Sequence, residues 1–302
     1  MRKRCAMLRI AATVIVLLAT ATSFATATRY AEAPAAGTVL RVSFSRPVEH
    51  AAARAFVTWL QDTADTVGEV SGSLPWPDVA IRLLHDDRQG PAAVRFGQVT
   101  RDGGMAIDLH VNLERPIAEF YTDWKATHEF SHLLLPRIDW RQRWISEGFA
   151  SYYQNVLMAR GGHYSREQAI ARLTAGFERG QASRPELSPN EASLAGISHA
   201  RYKIYWSGAA IALLADVQLR ERSGGAESLD TVLGRFRRCC LGDDREWTGE
   251  DLFLQFDSLL DAPVFVPLYR RYADTPGFPD VTAALADDAL LDGIFAVRTS
   301  PN

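Results

Sequence analysis

One pentapeptide constrains this chain of 302 residues more than any other segment: His128-Glu129-Phe130-Ser131-His132. Residues four apart share a face of an α-helix, so two imidazoles at this spacing can reach one ion. The intervening Glu129 lies about 100° around the helix, where it can meet a water beside that ion. The neighbours suit a buried helix. Phe120, Trp124, Thr127, Ser131 and Leu134 follow helical spacing beside the histidine stripe, and Pro136 ends the run. A hydrolytic metal centre needs a third protein ligand and an open fourth position. Glu147 is the candidate, near the start of a second helical segment that opens Trp144-Ile145-Ser146-Glu147-Gly148-Phe149-Ala150. The stretch between the two segments is just long enough to reverse direction, which turns Glu147 toward His128 and His132 and makes Zn2+ the expected cofactor. The structural alternative is a pair of core histidines bonded only to backbone.

The rest of the chain divides around this motif. Residues 38–46 alternate Leu40, Val42 and Phe44 as a strand that Pro47 closes, and residues 51–67 place Ala52, Phe56, Leu60 and Ala64 at helical spacing. Strands are expected at 79–84, 93–99 and 105–111, the last entered through the turn Arg101-Asp102-Gly103-Gly104. After Pro116 the period becomes helical, with segments at 118–135, 143–160, 165–179, 201–221, 229–238 and 249–260. Residues 181–200, rich in Ser, Pro and Asn, read as a connecting loop. The predicted fold class is α+β: a β-containing N-terminal lobe over 28–117 and a helical lobe over 118–302, with the metal helices where they join.

Residues 1–27 have the layout of a secretory signal. Arg2, Lys3 and Arg4 precede an apolar run over 10–18 that is short for a bilayer, and Ala25-Thr26-Ala27 supplies small residues for cleavage. Export to the periplasm or medium is the expectation, and an uncleaved N-terminal tether is the alternative. No later stretch is apolar enough to span a membrane, so no stable insertion is expected after signal removal. Removing the leader takes four basic residues and no acid, shifting the formal charge from −3 to about −7. That sign argues against a nucleic-acid partner held by its phosphates. Cys239 and Cys240 are adjacent, which rarely allows a bridge between them, and lack metal spacing, so they read as unbridged and either buried or incidental.

The two motifs together carry a family resemblance. His128–His132 followed by Trp144-Ile145-Ser146-Glu147-Gly148-Phe149-Ala150-Ser151-Tyr152-Tyr153 resembles the gluzincin metallopeptidases, in particular the catalytic domain of the aminopeptidase N family and its glycyl aminopeptidase relatives. Tyr205-Trp206-Ser207-Gly208-Ala209 is similar to the family segment whose tyrosine assists the transition state. The resemblance implies a thermolysin-like two-lobe fold, Zn2+ on His128, His132 and Glu147, Glu129 as general base and Tyr205 as oxyanion donor. Tyr202, one turn earlier, is the alternative donor. It also implies a peptide or protein substrate. Ser151 stands where thermolysin-type enzymes carry a carboxylate that steadies a zinc histidine.

Two departures bear on substrate. The spacer between His132 and Glu147 is shorter than in the aminopeptidase N family. Gly103-Gly104-Met105-Ala106-Ile107 looks like the family strand that binds the substrate's free amine, with Gly104, Met105 and Ala106 as the substrate-binding candidates, yet Ala106 replaces the glutamate. An ammonium desolvated without a carboxylate is costly, so endopeptidase action is expected unless Asp108 or another acid substitutes. If residues 105–111 form an edge strand, they offer a backbone ladder to an extended peptide. His110 on that strand reads as structural, and His50, His85, His163 and His199 have no partner pattern. Two other functions stay open: a zinc hydrolase of ester-type substrates, and a non-catalytic exported binding module on the same fold.

Overall fold

The computed structural model describes residues 27–88, 90–242 and 245–296. The predicted leader therefore lies outside the described residues except for Ala27. Strands β1 (Ala27–Ala35) and β2 (Thr38–Glu49) form an antiparallel hairpin turned at Ala36 and Gly37, both with positive φ. Strand β1 was not expected, because its burial is one-sided and weak. Helix α1 (His50–Ser71) follows without a loop and ends at Gly72, whose left-handed φ of 86° favours glycine. Strands β3 (Asp78–His85), β4 (Val94–Thr100) and β5 (Ala106–Val111) complete a mixed sheet of order β1-β2-β3-β5-β4. The parallel pairs β2/β3 and β3/β5 form its centre; β2 and β3 bury one face through Leu40, Val42, Phe44, Val79, Ile81 and Leu83, whereas β5 is buried along nearly its whole length.

That order corrects one expectation. The strand over 105–111 is interior; the edge belongs to β4, which pairs antiparallel with β5. Gly103 and Gly104, at φ of 81° and 121°, make the turn between them. Ala106 is locked between Ala80 and Thr100 in the ladder.

The helical part begins with α2 (Ile117–Tyr121) and α3 (Lys125–Ser131), continued by a 3-10 turn over His132–Leu134. The single helix predicted over 118–135 is thus broken. Asp123 is the physical reason: its carboxylate accepts from Lys125 N at 3.1 Å and from Val94 N at 3.0 Å, restarting the helix and tying it to β4. Phe56 and Trp59 of α1 pack edge-on against Phe120 with ring centroids 5.0 and 5.1 Å away, which seats α2 on the sheet lobe.

After β6 (Arg137–Ile138) come α4 (Trp144–Arg160), α5 (Arg166–Ala182), α6 (Pro189–Ala195), α7 (Ile197–Ser223) and α8 (Leu229–Cys239). The chain then adds β7 (Glu246–Trp247), which pairs with β6, and helices α9 (Gly249–Asp257), α10 (Phe265–Tyr272), α11 (Thr282–Ala286) and α12 (Asp288–Phe295). The expected loop over 181–200 holds α6, opened by a Ser188/Glu191 capping box with Pro189 in its first turn. Cys239 and Cys240, expected unbridged, form a disulfide at the end of α8. There the chain leaves the helix, and Cys240 has φ of −142° and ψ of −11°.

Helices α4 and α7 cross with almost nothing between them. A Cβ on Gly148 would collide with Gly208 Cα, and one on Gly208 with Trp144 O. Two closed polar networks flank this crossing. Tyr152 donates to Asp216 at 2.7 Å; Tyr153 and Arg160 both donate to Asp230 at 2.8 Å, and Arg160 also reaches Ile294 O. Among the described residues, no helix is long and apolar enough to cross a membrane.

Candidate metal centre

Three elements build the centre. Helix α3 brings His128, Glu129 and His132, α4 brings Glu147, and α7 lays Tyr205 over them. The glycine crossing explains the last placement: Gly148 follows Glu147 directly and Gly208 lies one turn after Tyr205, so backbone contact between the helices carries both side chains to one point. Donor atoms of His128, His132 and Glu147 all lie within 4.8 Å of one another. Glu147 Oε2 is 3.4 Å from His128 Nε2 and 3.7 Å from His132 Nε2.

The partners of the other ring nitrogens aim this set. His128 Nδ1 donates to Gln154 Oε1 at 2.7 Å, since a carbonyl oxygen only accepts, which leaves Nε2 facing Glu147 to carry a proton or, without one, to offer its lone pair to a cation. His132 Nδ1 lies 2.9 Å from Ser146 Oγ. Neither Gln154 nor Ser146 was anticipated. Gln154 was legible in principle, two turns beyond Glu147 on the same face of α4. Ser151, at the position where thermolysin-type enzymes carry the steadying carboxylate, lines the cleft beside them.

Electrostatics favour a cation here. Burial pushes the Glu129 carboxyl up to about 7 and the His132 imidazole down to about 4. Burial alone would raise Glu147, but its hydrogen bond to His128 and the charge of both imidazoles hold it below the usual carboxylate range. His128 is also disfavoured as a cation by burial, yet Glu147 and Glu129 carry it above its ordinary value. Without a metal the cluster thus draws a proton onto His128 to balance its carboxylates. A dication held by two Nε2 lone pairs and one carboxylate would do the same, and this donor set suits Zn2+.

Tyr205 stacks on His128 with ring centroids 5.8 Å apart and planes within 7°, and its hydroxyl bonds Glu147. Burial and the carboxylate both raise its pKa. Tyr202, the alternative donor, is half exposed and packs under Arg179. The edge strand meets Glu129 directly: a Cβ on Gly97 would sit 2.5 Å from Glu129 Cγ, so glycine lets β4 run this close.

A cleft of about 780 Å³ opens from His128 and Glu129 between β4, α4, α5 and α7. Gly104, Met105 and Ala106 are not among the residues lining it. The amine-binding strand expected at those positions is a hairpin turn and an interior strand, so β4 is the strand that lines the cleft. Asp108 does not replace the missing glutamate, because Arg82 and Gln98 bind its carboxylate beneath the sheet edge. His110 sits on β5 with its ring 5.6 Å from Phe96.

The fold is similar to that of solved M1 zinc metallopeptidases, and His128, His132 and Glu147 form a donor set that could hold a metal ion. The profile of the M61 glycyl aminopeptidase family matches residues 136–211, a span that includes Glu147 and Tyr205 and begins after the two histidines. An aminopeptidase N family protein from Idiomarina loihiensis superimposes with a TM-score of 0.62 at 14% identity, covering 85% of this chain and 48% of that one. An M1 zinc metallopeptidase from Deinococcus radiodurans, in a mutant bound to a Tyr-Ser-Ala substrate, gives 0.54 at 16% identity, over 83% of this chain and 53% of that one. A two-domain M1 zinc metallopeptidase mutant bound to L-arginine gives 0.56 at 15% identity, over 83% and 52%. The chain therefore spans about half the length of these relatives. No curated protein sequence matches it.

Proposed function

We propose that this chain is an exported zinc peptidase that cuts peptide bonds within a chain. The observation that carries the reading is the convergence of His128, His132 and Glu147 within 4.8 Å, with buried Glu129 beside them. Zinc bound there would supply Lewis acidity, acidifying water and polarising a scissile carbonyl. Glu129 takes the water's proton and passes it to the leaving amine, a role suited to a carboxylate buried beside the histidine pair. The Tyr205 hydroxyl donates to the developing oxyanion. An extended substrate lies along β4, whose outer backbone edge is open to pairing.

Internal cutting is favoured by the cleft's charge. Among the described residues lining it, Glu129 is the one acid, which leaves a protonated N-terminus no second carboxylate there. Likeness to aminopeptidases favours the other reading, and a single experiment separates them. The mature chain is given matched peptides with free and acetylated N-termini, and products are mapped by mass spectrometry with ester substrates alongside. Zinc near one equivalent, loss of cutting with chelator and cleavage of acetylated peptides are expected. Block of every cut by acetylation makes the chain an aminopeptidase, and ester hydrolysis without peptide cleavage overturns the peptidase reading. Export is tested by N-terminal sequencing of the secreted protein, with a start at Thr28 expected from cleavage after Ala27.

A further inference from the structure

The cleft has a charge opposite to that of the chain. The formal charge of the chain is −3, yet among the described residues Arg95, Lys125, Arg172, Arg179 and Arg201 all line the cleft with Glu129 as the only acid. Two of these cations are matched by carboxylates: Arg95 lies 3.5 Å from Asp86, and Lys125 lies 3.1 Å from Asp123. Arg172, Arg179 and Arg201 form no ion pair among the described residues. Unmatched charge lining a concave wall focuses the field there and attracts anions against the sign of the whole molecule.

Two of the three are held in place. The Arg172 guanidinium lies 4.4 Å from the Tyr164 ring centroid, and that of Arg179 lies 5.4 Å from Trp206 and 6.0 Å from Tyr202. Stacking on a ring fixes the plane of a guanidinium and leaves its N–H edge to an acceptor, in the fork geometry that matches a carboxylate. Helix α5 presents Gln168, Arg172, Ala175 and Arg179 at spacings of four, three and four, so the cations share one face. Glycine fixes that face relative to the metal centre: a Cβ on Gly176 would overlap the Trp206 ring, and Trp206 follows Tyr205 in α7.

We infer that this cleft selects peptides carrying a carboxylate near the scissile bond, and that Arg172, Arg179 and Arg201 are the residues that select them. The inference rests on the peptidase reading and adds to it a substrate class. The carboxylate has two possible sources, an Asp or Glu side chain or the peptide's own C-terminus, and the arms of the test separate them.

Zinc-loaded full-length mature protein is given peptides that differ only by Glu against Gln at successive positions on each side of the cut, each with free and amidated C-termini. The Glu peptide is expected to be cut with a kcat/KM about 10-fold higher, mostly through KM, and the advantage should shrink as salt rises. An effect confined to the free C-terminus identifies the terminal carboxylate as the group read. In Arg172→Gln/Arg179→Gln the Glu-to-Gln ratio should fall toward one, and Arg172→Lys/Arg179→Lys should restore part of it. Equal rates for Glu, Gln and amidated peptides, or an unchanged ratio in the Gln double variant, overturn the inference. If no peptide is cut at all, the peptidase reading fails by itself. Fluorescence anisotropy of labelled Glu-rich and Gln-rich peptides on zinc-loaded Glu129→Gln then decides the cleft: Glu-selective binding upholds its anion preference, and indifferent or absent binding ends it.

Discussion

Helix α4 carries two buried polar clusters that differ in one respect. On one side, Tyr152, Tyr153 and Arg160 form closed networks with Asp216 and Asp230, in which each carboxylate meets cationic and hydroxyl donors of the protein. On the other, Glu147 faces two imidazoles whose outer nitrogens are fixed by Gln154 and Ser146 and whose inner nitrogens converge on one point. The first cluster balances its own charge. The second balances only by drawing a proton onto His128 or by holding a cation. Closure marks a network that specifies the fold, and the lack of it marks a site for something from outside.

The comparison breaks most easily at Glu129. Glu129→Gln is expected to lower kcat by about 10²- to 10⁴-fold while zinc content, read by atomic emission, stays near one equivalent. Loss of zinc together with activity would make Glu129 a ligand and merge its role with that of Glu147. On the closed side, Asp230→Asn leaves Arg160 buried without its counter-charge, which should cost about 3–5 kcal/mol in urea unfolding with little change in activity per folded molecule. A mild loss would mean that the cluster is better solvated than its near-zero exposure implies.

The open cluster has a pH signature in the metal-free protein. Burial raises the Glu129 carboxyl to about 7 in the folded state, above its unfolded value. A group raised on folding stabilises at low pH, and that stability drains away as pH rises through the folded value. Between about pH 5 and 8, the chelated protein should lose up to about 3 kcal/mol that Glu129→Gln does not lose. Equal slopes in the two proteins would remove Glu129 as the cause. The smallest effect is expected from Gln154→Leu. Without its carbonyl, the His128 ring loses its anchor, and zinc affinity measured by competition with a chelator should fall about 10- to 100-fold.

The zinc motif was legible because its geometry is local. His128 and His132 share a face whatever surrounds them, and Glu147 announces itself by starting the next helix. The helices of the C-terminal part were readable by period, and even the missed α6 carried a capping box at Ser188 and Glu191. Sheet order was not readable in the same way. The glycines of the 103–107 segment suggested a cleft strand, but a strand's neighbours depend on contacts far along the chain. Because β5 pairs with β3 as well as with β4, it lies inside the sheet and β4 outside. The disulfide at Cys239 and Cys240 was missed through a general expectation about adjacent cysteines that this helix end does not obey.

The sequence by itself determined the candidate donor set, the carboxyl between the two histidines and the order of strands before helices, since each follows from residue identity and short spacing. Only the tertiary structure decided which strand meets Glu129, which tyrosine stacks on His128 and which arginines line the cleft. Gly97, Tyr205 and Arg179 come from β4, α7 and α5, and they share one cleft with His128 and Glu129 of α3 only because glycine contacts at 97, 148, 176 and 208 let whole elements approach. Those approaches depend on packing between segments distant in the chain, which no local period encodes.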